Sequence, residues 1–230
     1  MRARAVTFDA GQTLVELDTA MLVSRLVERG VEVAERALAG AQPAAWRRYE
    51  EAVTAGGHQA PWHLFMTSLL VGAGVAPTAA TDLATWLWDQ QPVRNLWRRP
   101  ITGMFELAQE LATAGTPVGI ISNSEGRLAE LIAEIGWAAP FAVIVDSGRL
   151  GVAKPARAIF EHAARALGVT PAEIVHVGDS RTADVEGARG AGMRAIWFGA
   201  AAHATGDDGV AAAVDAAAVR AALARWELIR

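Results

Sequence analysis

The sequence predicts an α/β protein with a doubly wound parallel sheet and an inserted all-helical block. After Pro100, short apolar runs alternate with helical patterns across short loops, which is typical of parallel strands buried on both faces. Between residues 18 and 100, by contrast, apolar residues recur at helical spacing and we find no strand pattern. We therefore expect a core domain at 1–14 and 100–230, interrupted by a helical domain at 15–99.

The individual elements follow from apolar runs that end at turn residues. The first strand, Ala5–Phe8, stops at Asp9, and the helical block should contain about four helices, at 18–39, 43–56, 60–72 and 77–89. Further strands are expected at 117–121, 141–145, 174–177 and 193–198, and helices at 103–114, 124–135, 156–167 and 182–191. The alanine-rich tail at 209–226 predicts a last helix.

The composition excludes several classes of protein. Apolar residues make up 52% of the 230 residues, which is enough for a core domain plus an insert. The net charge is -4 and no basic run occurs, so we expect no nucleic-acid partner. Cysteine is absent, so a metal site must use oxygen or nitrogen ligands. No apolar run has the length of a signal peptide or a membrane span, so we expect a cytoplasmic protein without membrane partners, as a monomer or homodimer.

Candidate functional residues follow the strands of the predicted sheet, because open parallel sheets bind ligands beyond the carboxyl ends of their strands. Asp9 comes directly after a buried strand, where a carboxylate is costly unless a positive group meets it. It is a candidate nucleophile or metal ligand, and the alternative is a turn or helix-capping aspartate. Ser122 and Asn123 end another strand and could bind an anion or cap a helix.

Lys154 is the only lysine in the sequence, and all the other residues counted among the 21 Lys and Arg are arginines. A surface role would not require lysine, whereas a compact ammonium among carboxylates and phosphate would. At the fourth strand end, Asp179 and Asp184 could together meet a hard divalent cation, the alternative being a capping aspartate and an exposed acid. The four strand ends together carry the groups needed for Mg²⁺-assisted phosphoryl transfer to an aspartate.

These segments resemble the motifs of the haloacid dehalogenase-like (HAD) superfamily. Residues 8–14 (FDAGQTL) resemble the first motif, Ile121-Ser122-Asn123 the second, Lys154-Pro155 the third, and residues 176–188 (HVGDSRTADVEGA) the fourth. The resemblance implies a HAD-like, Rossmannoid core, and the helical block resembles the cap that one subclass inserts after the first motif.

The resemblance also implies roles for individual residues. Asp9 would form an aspartyl-phosphate with a small phosphorylated substrate, while Ser122 and Lys154 would bind the transferring group. Mg²⁺ would be held by Asp9, the Gly11 carbonyl and Asp179. Asp184 would support the metal site or Lys154, and Asn123 and Ser180 would contact the substrate or support the residues around it.

The first motif departs from the family pattern at two positions. Phosphatases of this family carry a second aspartate, the acid/base, two residues after the nucleophile, and a glycine follows it; here these are Gly11 and Gln12. Proton transfer by a positioned group contributes ~10²–10⁴ in rate, so the resemblance predicts weak or atypical turnover. Two alternatives stay open: a HAD-fold protein that binds a phosphorylated ligand or a protein partner without useful catalysis, and a metal-independent 2-haloacid dehalogenase.

The helical block is rich in tryptophan, with five of the eight tryptophans in it or at its edge. Packing within a small helical bundle is the first interpretation, and an apolar pocket or dimer face is the alternative. His58 and His63 are either surface residues or possible contributors to the active site.

Overall fold

The structure is a computed structural model that describes residues 3–55, 60–199 and 209–228. The chain divides into two compact units, one formed by Met1–Glu16 with Arg98–Arg230 and the other by Leu17–Trp97. None of the described helices is long and apolar enough to span a membrane.

The first unit is built on a six-stranded parallel sheet, which confirms the predicted fold class. Its strands, in chain order with the two-stranded pair β2 and β3, are β1 Ala5–Phe8, β2 Val15–Leu17, β3 Trp97–Pro100, β4 Val118–Ser122, β5 Val143–Asp146, β6 Ile174–Gly178, β7 Arg194–Phe198 and β8 Val210–Ala213. The strand order in the large sheet is β5-β4-β1-β6-β7-β8, so β1 lies between β4 and β6. Every residue of β1, β4 and β6 is buried, as expected for central parallel strands.

Helices connect the strands and cover the sheet, and four more form the second unit. The α-helices are α1 Thr19–Val27, α2 Glu35–Thr54, α3 Ala60–Gly72, α4 Pro77–Gln90, α5 Met104–Thr113, α6 Leu128–Glu134, α7 Ser147–Leu150, α8 Arg157–Leu167, α9 Gly187–Gly190 and α10 Ala216–Arg225. A π-helical turn, Arg181–Glu186, precedes α9 and replaces the start of the helix expected at 182–191. In the second unit, buried leucines and aromatic rings of α1 to α4 form one apolar core.

Two predicted helix boundaries in the second unit are wrong. The helix expected at 18–39 ends at Val27, where the chain turns through Gly30, which has a positive φ of 72° that glycine adopts without strain. The next helix begins at Glu35, before its expected start at 43, and runs through Pro43 to Thr54. Tertiary packing along α2 outweighs the loss of one helical hydrogen bond at that position.

Three strands, β2, β3 and β8, were not predicted. Residues 210–213 were assigned to the last helix, but they form β8 and pair with β7 at the sheet edge, from Ala195 opposite Val210 to Phe198 opposite Ala213. The helical propensity of alanine is a weak preference that a ready strand partner overrides. Trp97–Pro100 forms β3, which pairs with β2 where the chain passes between the two units. Its four residues are too short and polar to show strand periodicity.

Candidate functional site

The predicted site residues of the first unit follow neighbouring strands at one edge of the sheet. Asp9 follows β1, Ser122 ends β4 and Asp179 follows β6, and these three strands are adjacent. The backbone N–H of Asp9 donates to the Val177 carbonyl at 2.7 Å, which extends the pairing of β1 with β6 by one residue. The sheet therefore fixes the backbone of Asp9 before its side chain makes any contact.

Lys154 lies between two carboxylates. Its Nζ donates to Asp9 Oδ1 at 2.5 Å and to Asp184 Oδ1 at 2.6 Å, and its side chain is only 2% exposed. Burial alone would lower the pKa of this ammonium, but the charges of Asp184 and Asp9 outweigh that effect and raise its pKa. The lysine therefore remains charged and neutralises part of the negative charge around Asp9.

Asn123 holds the backbone of Lys154 in place. Its Nδ2 donates to the Lys154 carbonyl at 3.0 Å, and its Oδ1 accepts from the Lys154 N–H at 2.8 Å. Both hydrogen bonds use the amide, so the segment after β4 sets the position of the lysine.

Asp184 is anchored from three sides. Besides Lys154, its Oδ1 meets His176 Nε2 at 3.0 Å, and its Oδ2 accepts the Ser180 N–H at 3.0 Å. Burial would raise the pKa of Asp184, but the Lys154 charge and the His176 hydrogen bond lower it to about 2. A Cβ on Gly178 would lie 2.2 Å from the Asp184 Cγ, so glycine is required for this close approach.

Ser180 serves the turn that carries Asp184. The Ser180 hydroxyl accepts from the Ala183 N–H at 3.0 Å and caps the π-helical turn. Its backbone N–H binds Asp184, as described above, so both polar groups of Ser180 are directed at the local fold. From the sequence, helix capping by an aspartate was the alternative here, and in the structure Ser180 is the capping residue.

A buried pair behind Asp184 was missed by the sequence analysis. Thr7 and His176 lie directly opposite each other on β1 and β6, and Thr7 Oγ1 lies 2.9 Å from His176 Nδ1. Both residues are fully buried. An ionised Asp184 can only accept, so His176 Nε2 carries the hydrogen and, in the neutral ring, Nδ1 accepts from the Thr7 hydroxyl. The signal was available, because both are polar residues within otherwise apolar strands.

The acidic residues of the site could hold a divalent cation. Carboxylate oxygens of Asp9, Asp179 and Asp184 all lie within 4.8 Å of one another, and one lysine is too few to balance them. Trp197 Nε1 donates to the Asp179 carbonyl at 2.8 Å, and Thr13 Oγ1 lies 3.5 Å from Asp179 Oδ1. Burial raises the pKa of Asp9 despite the opposing effect of Lys154. A clustered set of hard oxygen ligands fits Mg²⁺.

Gly11 and Ser122 occupy the positions that the motifs predict. Ser122 is buried at the end of β4, paired in register with Asp146 of β5. Gly11 forms an isolated β-bridge with Val15, and the next residue, Gln12, has a positive φ of 57°. The roles assigned to Ser122 and to the Gly11 carbonyl remain predictions.

Four tryptophans of the second unit, Trp46, Trp62, Trp88 and Trp97, are in ring contact with one another, and Trp86 packs against the same apolar core, as the first interpretation expected. The ring of Trp62 lies 5.4 Å from His63, 5.1 Å from Trp88 and 6.1 Å from Trp97. His63 is thus part of an aromatic cluster, and His58 lies outside the described residues. Aromatic pairs at these distances stabilise a small core beyond the burial of their surface.

Comparison with known proteins adds a family match and several relatives. The model of a family described as haloacid dehalogenase-like hydrolase matches residues 3–192. Over 127 residues the chain is 35% identical to a phosphoserine phosphatase from Thermus thermophilus, which covers 54% of this chain but only 49%, about half, of that protein. Over 199 residues it is 28% identical to a glyceraldehyde 3-phosphate phosphatase from Methanopyrus kandleri, covering 83% of this chain and 81% of that protein.

Solved structures with the same fold cover nearly the whole chain. A 2-haloacid dehalogenase from Pseudomonas syringae has a TM-score of 0.60 and 25% identity, over 97% of this chain and 99% of that one. The HAD-hydrolase YfnB from Bacillus subtilis, a structure bound to magnesium, has a TM-score of 0.71 and 18% identity, again over 97% and 99%. At this identity the second likeness shows the fold alone.

Proposed function

Because the chain belongs to the haloacid dehalogenase-like hydrolase family, we propose that it is a Mg²⁺-dependent phosphatase that forms an aspartyl-phosphate at Asp9. The observation that carries the proposal is the buried Lys154 ammonium, which contacts both Asp9 and Asp184 beside a third carboxylate. The substrate would be a small phosphorylated metabolite, the class named for the relatives from Thermus and Methanopyrus.

In the first half-reaction, a carboxylate oxygen of Asp9 attacks phosphorus and the bond to the substrate oxygen breaks. Lys154 occupies Asp9 Oδ1, so Oδ2 is the oxygen left to attack. The ammonium opposes the rise in the Asp9 pKa that burial causes and offsets charge on the transferring group. With Gly11 in place of an acid, the leaving oxygen takes its proton from solvent, which favours substrates whose leaving groups are stable as anions.

A bound Mg²⁺ would supply the positive charge that lets an anionic nucleophile approach an anionic phosphate. Asp9, Asp179 and the Gly11 carbonyl are the groups we assign to it. Asp184 lies within the same acidic cluster, but its oxygens already accept hydrogen bonds from Lys154, His176 and Ser180. We therefore assign Asp184 to holding the lysine.

Ser122 and Asn123, at the end of β4, have different proposed roles. The Ser122 hydroxyl would donate to a phosphoryl oxygen, and Asn123 keeps the Lys154 backbone in register through its two hydrogen bonds. Substrate choice would come from the helical unit, Leu17–Trp97, acting as a cap.

In the second half-reaction, water attacks the phosphorus of the aspartyl-phosphate and releases Asp9. This step needs a base to accept the proton of the water, and neither Gly11 nor the Gln12 amide can act as one at neutral pH. We therefore expect the second step to be slower than the first with substrates that have good leaving groups.

Dehalogenation is the second candidate function, favoured by the likeness to the Pseudomonas dehalogenase and by the missing aspartate at position 11. The Asp179 carboxylate beside Asp9 argues against it, because a second negative charge there hinders binding of a haloacid carboxylate unless a cation is bound. Chloride release from 2-chloropropionate without added metal would support this alternative.

The test of the proposed function is a screen for phosphate release with and without Mg²⁺. The panel contains phosphoserine, phosphoglycolate, glyceraldehyde 3-phosphate and p-nitrophenyl phosphate, and the Asp9→Asn variant is the control. We expect Mg²⁺-dependent release from at least one compound and none from the variant. Release that persists in Asp9→Asn would reject Asp9 as the nucleophile.

A further inference from the structure

Gln12 adopts a backbone conformation that side chains avoid. Its φ is 57°, within the left-handed region, and the family pattern noted above has a glycine at this position. Glycine takes this conformation without strain, whereas glutamine must be held there by its surroundings. Its backbone N–H contributes to that hold by donating to the Val15 carbonyl at 2.6 Å.

The side chain of Gln12 carries a second cost. Its Nε2 is buried and finds no hydrogen-bond partner among the residues that the structure describes. A buried amide nitrogen without a partner loses the hydrogen bonds it made to water. Gln12 thus combines a strained backbone with an unsatisfied donor, three residues beyond the proposed nucleophile.

Among the described residues, Arg25, Trp62, Gln91 and Ser124 also have a buried donor without a partner, and Glu227 also has a positive φ, but none of them has both features. Gln91 Nε2 is also buried without a partner, but the Gln91 side chain has a structural role, because its Oε1 accepts the Leu96 N–H at 3.1 Å. Glu227 has a φ of 59° and follows α10, far along the chain from the motifs. Within the described ranges, strain and an orphaned donor coincide only at Gln12.

We propose that Gln12 is a catalytic residue whose Nε2 donates a hydrogen bond to an oxygen of the phosphoryl group carried by Asp9. The proposal rests on the proposed function and adds a residue to it. Phosphoryl oxygens gain a neutral donor in this way, and the amide gains its missing acceptor only when the site is loaded. Features that cost stability in the free protein are expected where they improve binding of the reacting group.

The amide does not replace the missing aspartate. A primary amide neither gives nor takes a proton at neutral pH, so Gln12 supplies stabilisation of charge and Gly11 still leaves the reaction without an acid or base. The two departures of the first motif therefore have separate consequences. Loss of the aspartate slows proton transfer, and gain of the glutamine strengthens the hold on the phosphoryl group.

The test compares Gln12→Gly with wild type in two measurements. Beryllofluoride with Mg²⁺ mimics a phosphoryl group on an aspartate, and ¹⁹F NMR titration gives its affinity. Removing one donor to a charged group should weaken binding about 10- to 100-fold. The melting temperature without beryllofluoride should stay equal or rise by about a few degrees, because glycine relieves the strain and removes the orphaned amide.

Glu227→Gly is the matched control, because it also replaces a side chain at a positive φ. It should leave beryllofluoride affinity unchanged. Gln12→Asn is the second variant, since asparagine tolerates left-handed backbone and shortens the amide by one methylene group. It should bind beryllofluoride more weakly than wild type even if Gln12→Gly fails to fold.

The outcomes separate this inference from the proposed function. If wild type binds beryllofluoride and Gln12→Gly and Gln12→Asn bind it equally well, the role of Gln12 is rejected while the aspartyl-phosphate proposal stands. If wild type gives no adduct, and Asp9→Asn behaves identically, the proposed function itself fails. Weaker binding in both Gln12 variants, with Glu227→Gly unchanged, supports the inference.

Discussion

The Nζ of Lys154 lies 2.6 Å from Oδ1 of Asp184, and both side chains are 2% exposed. The same nitrogen contacts Asp9, so one ammonium serves two buried carboxylates. Separating such charges from water is costly unless each remains paired, which makes every member of the group dependent on the others. The site is therefore expected to respond to substitution in both stability and activity.

Replacing Lys154 by methionine should destabilise the protein by about 3–5 kcal/mol, because two buried carboxylates lose their counter-charge. The free energy of unfolding in urea measures this effect, and activity on p-nitrophenyl phosphate should disappear. Arg157→Met is the control, since Arg157 forms an exposed ion pair with Glu161 and should change stability by less than about 1 kcal/mol. Equal stabilities of the Lys154→Met variant and wild type would contradict the buried pairing.

Asp184 should make the stability depend on pH in a defined window. Its pKa is about 2 in the folded protein and about 3.9 in an unfolded chain. The folded state thus holds fewer protons, so the stabilisation is complete above about pH 5 and is lost as the pH falls toward 2.

This dependence is measured as the difference in unfolding free energy between wild type and Asp184→Asn. The difference should be largest at neutral pH and shrink on acidification. A difference that stays constant from neutral pH to the acid limit of folding would show that Asp184 is not held as an anion by Lys154.

Thr7 and His176 should affect catalysis through Asp184. Thr7→Val keeps the shape of the side chain but removes the donor to His176, and His176→Phe removes the partner of Asp184. Groups that orient residues from behind in this way typically contribute 10- to 100-fold, so we expect kcat to fall by roughly that factor with little change in KM.

Two readouts distinguish positioning from a merely structural role. The ¹⁵N NMR spectrum of His176 should show the hydrogen on Nε2, and Thr7→Ser should restore kcat because it restores the hydroxyl. Lower melting temperatures with kcat unchanged in the folded variants would leave Thr7 and His176 as core residues only.

Gly11 should divide the reaction into a fast and a slow half. With p-nitrophenyl phosphate, whose leaving group needs little protonation, a burst of nitrophenolate should precede slow turnover. Gly11→Asp should raise the steady-state rate by up to ~10²–10⁴, while Gly11→Asn, of similar size but without an acid, should not. Absence of a burst together with no gain in a folded Gly11→Asp variant would count against the acid/base explanation.

The strand-end residues could be predicted because parallel strands place their carboxyl ends at one edge of a sheet. Asp9, Ser122 and Asp179 needed only the recognition of three strands, and Lys154 stood out as the single lysine. Their partners were harder to predict, since contacts such as Asn123 with the Lys154 backbone depend on loops of undetermined path. Sequence position could not show that Ser180 caps a π-helical turn.

The elements that were missed share a different physical cause. At β8 and at Pro43, tertiary pairing and packing override local helix propensity. Relative to alanine, a residue in a helix interior is less favourable by about 1 kcal/mol for glycine and about 3 kcal/mol for proline. Thr7 and His176 were passed over because a polar residue within a buried strand looks incidental until its cross-strand partner is known.

The central claim is that Asp9 accepts a phosphoryl group in a Mg²⁺-dependent step. The most direct measurement is acid quenching of the reaction with p-nitrophenyl phosphate during the first turnover, followed by peptide mass spectrometry. The account predicts a hydroxylamine-sensitive phosphate on the peptide containing Asp9, present with Mg²⁺, absent without it and absent in Asp9→Asn. Phosphate release during turnover with no modified Asp9 at any quench time would contradict it.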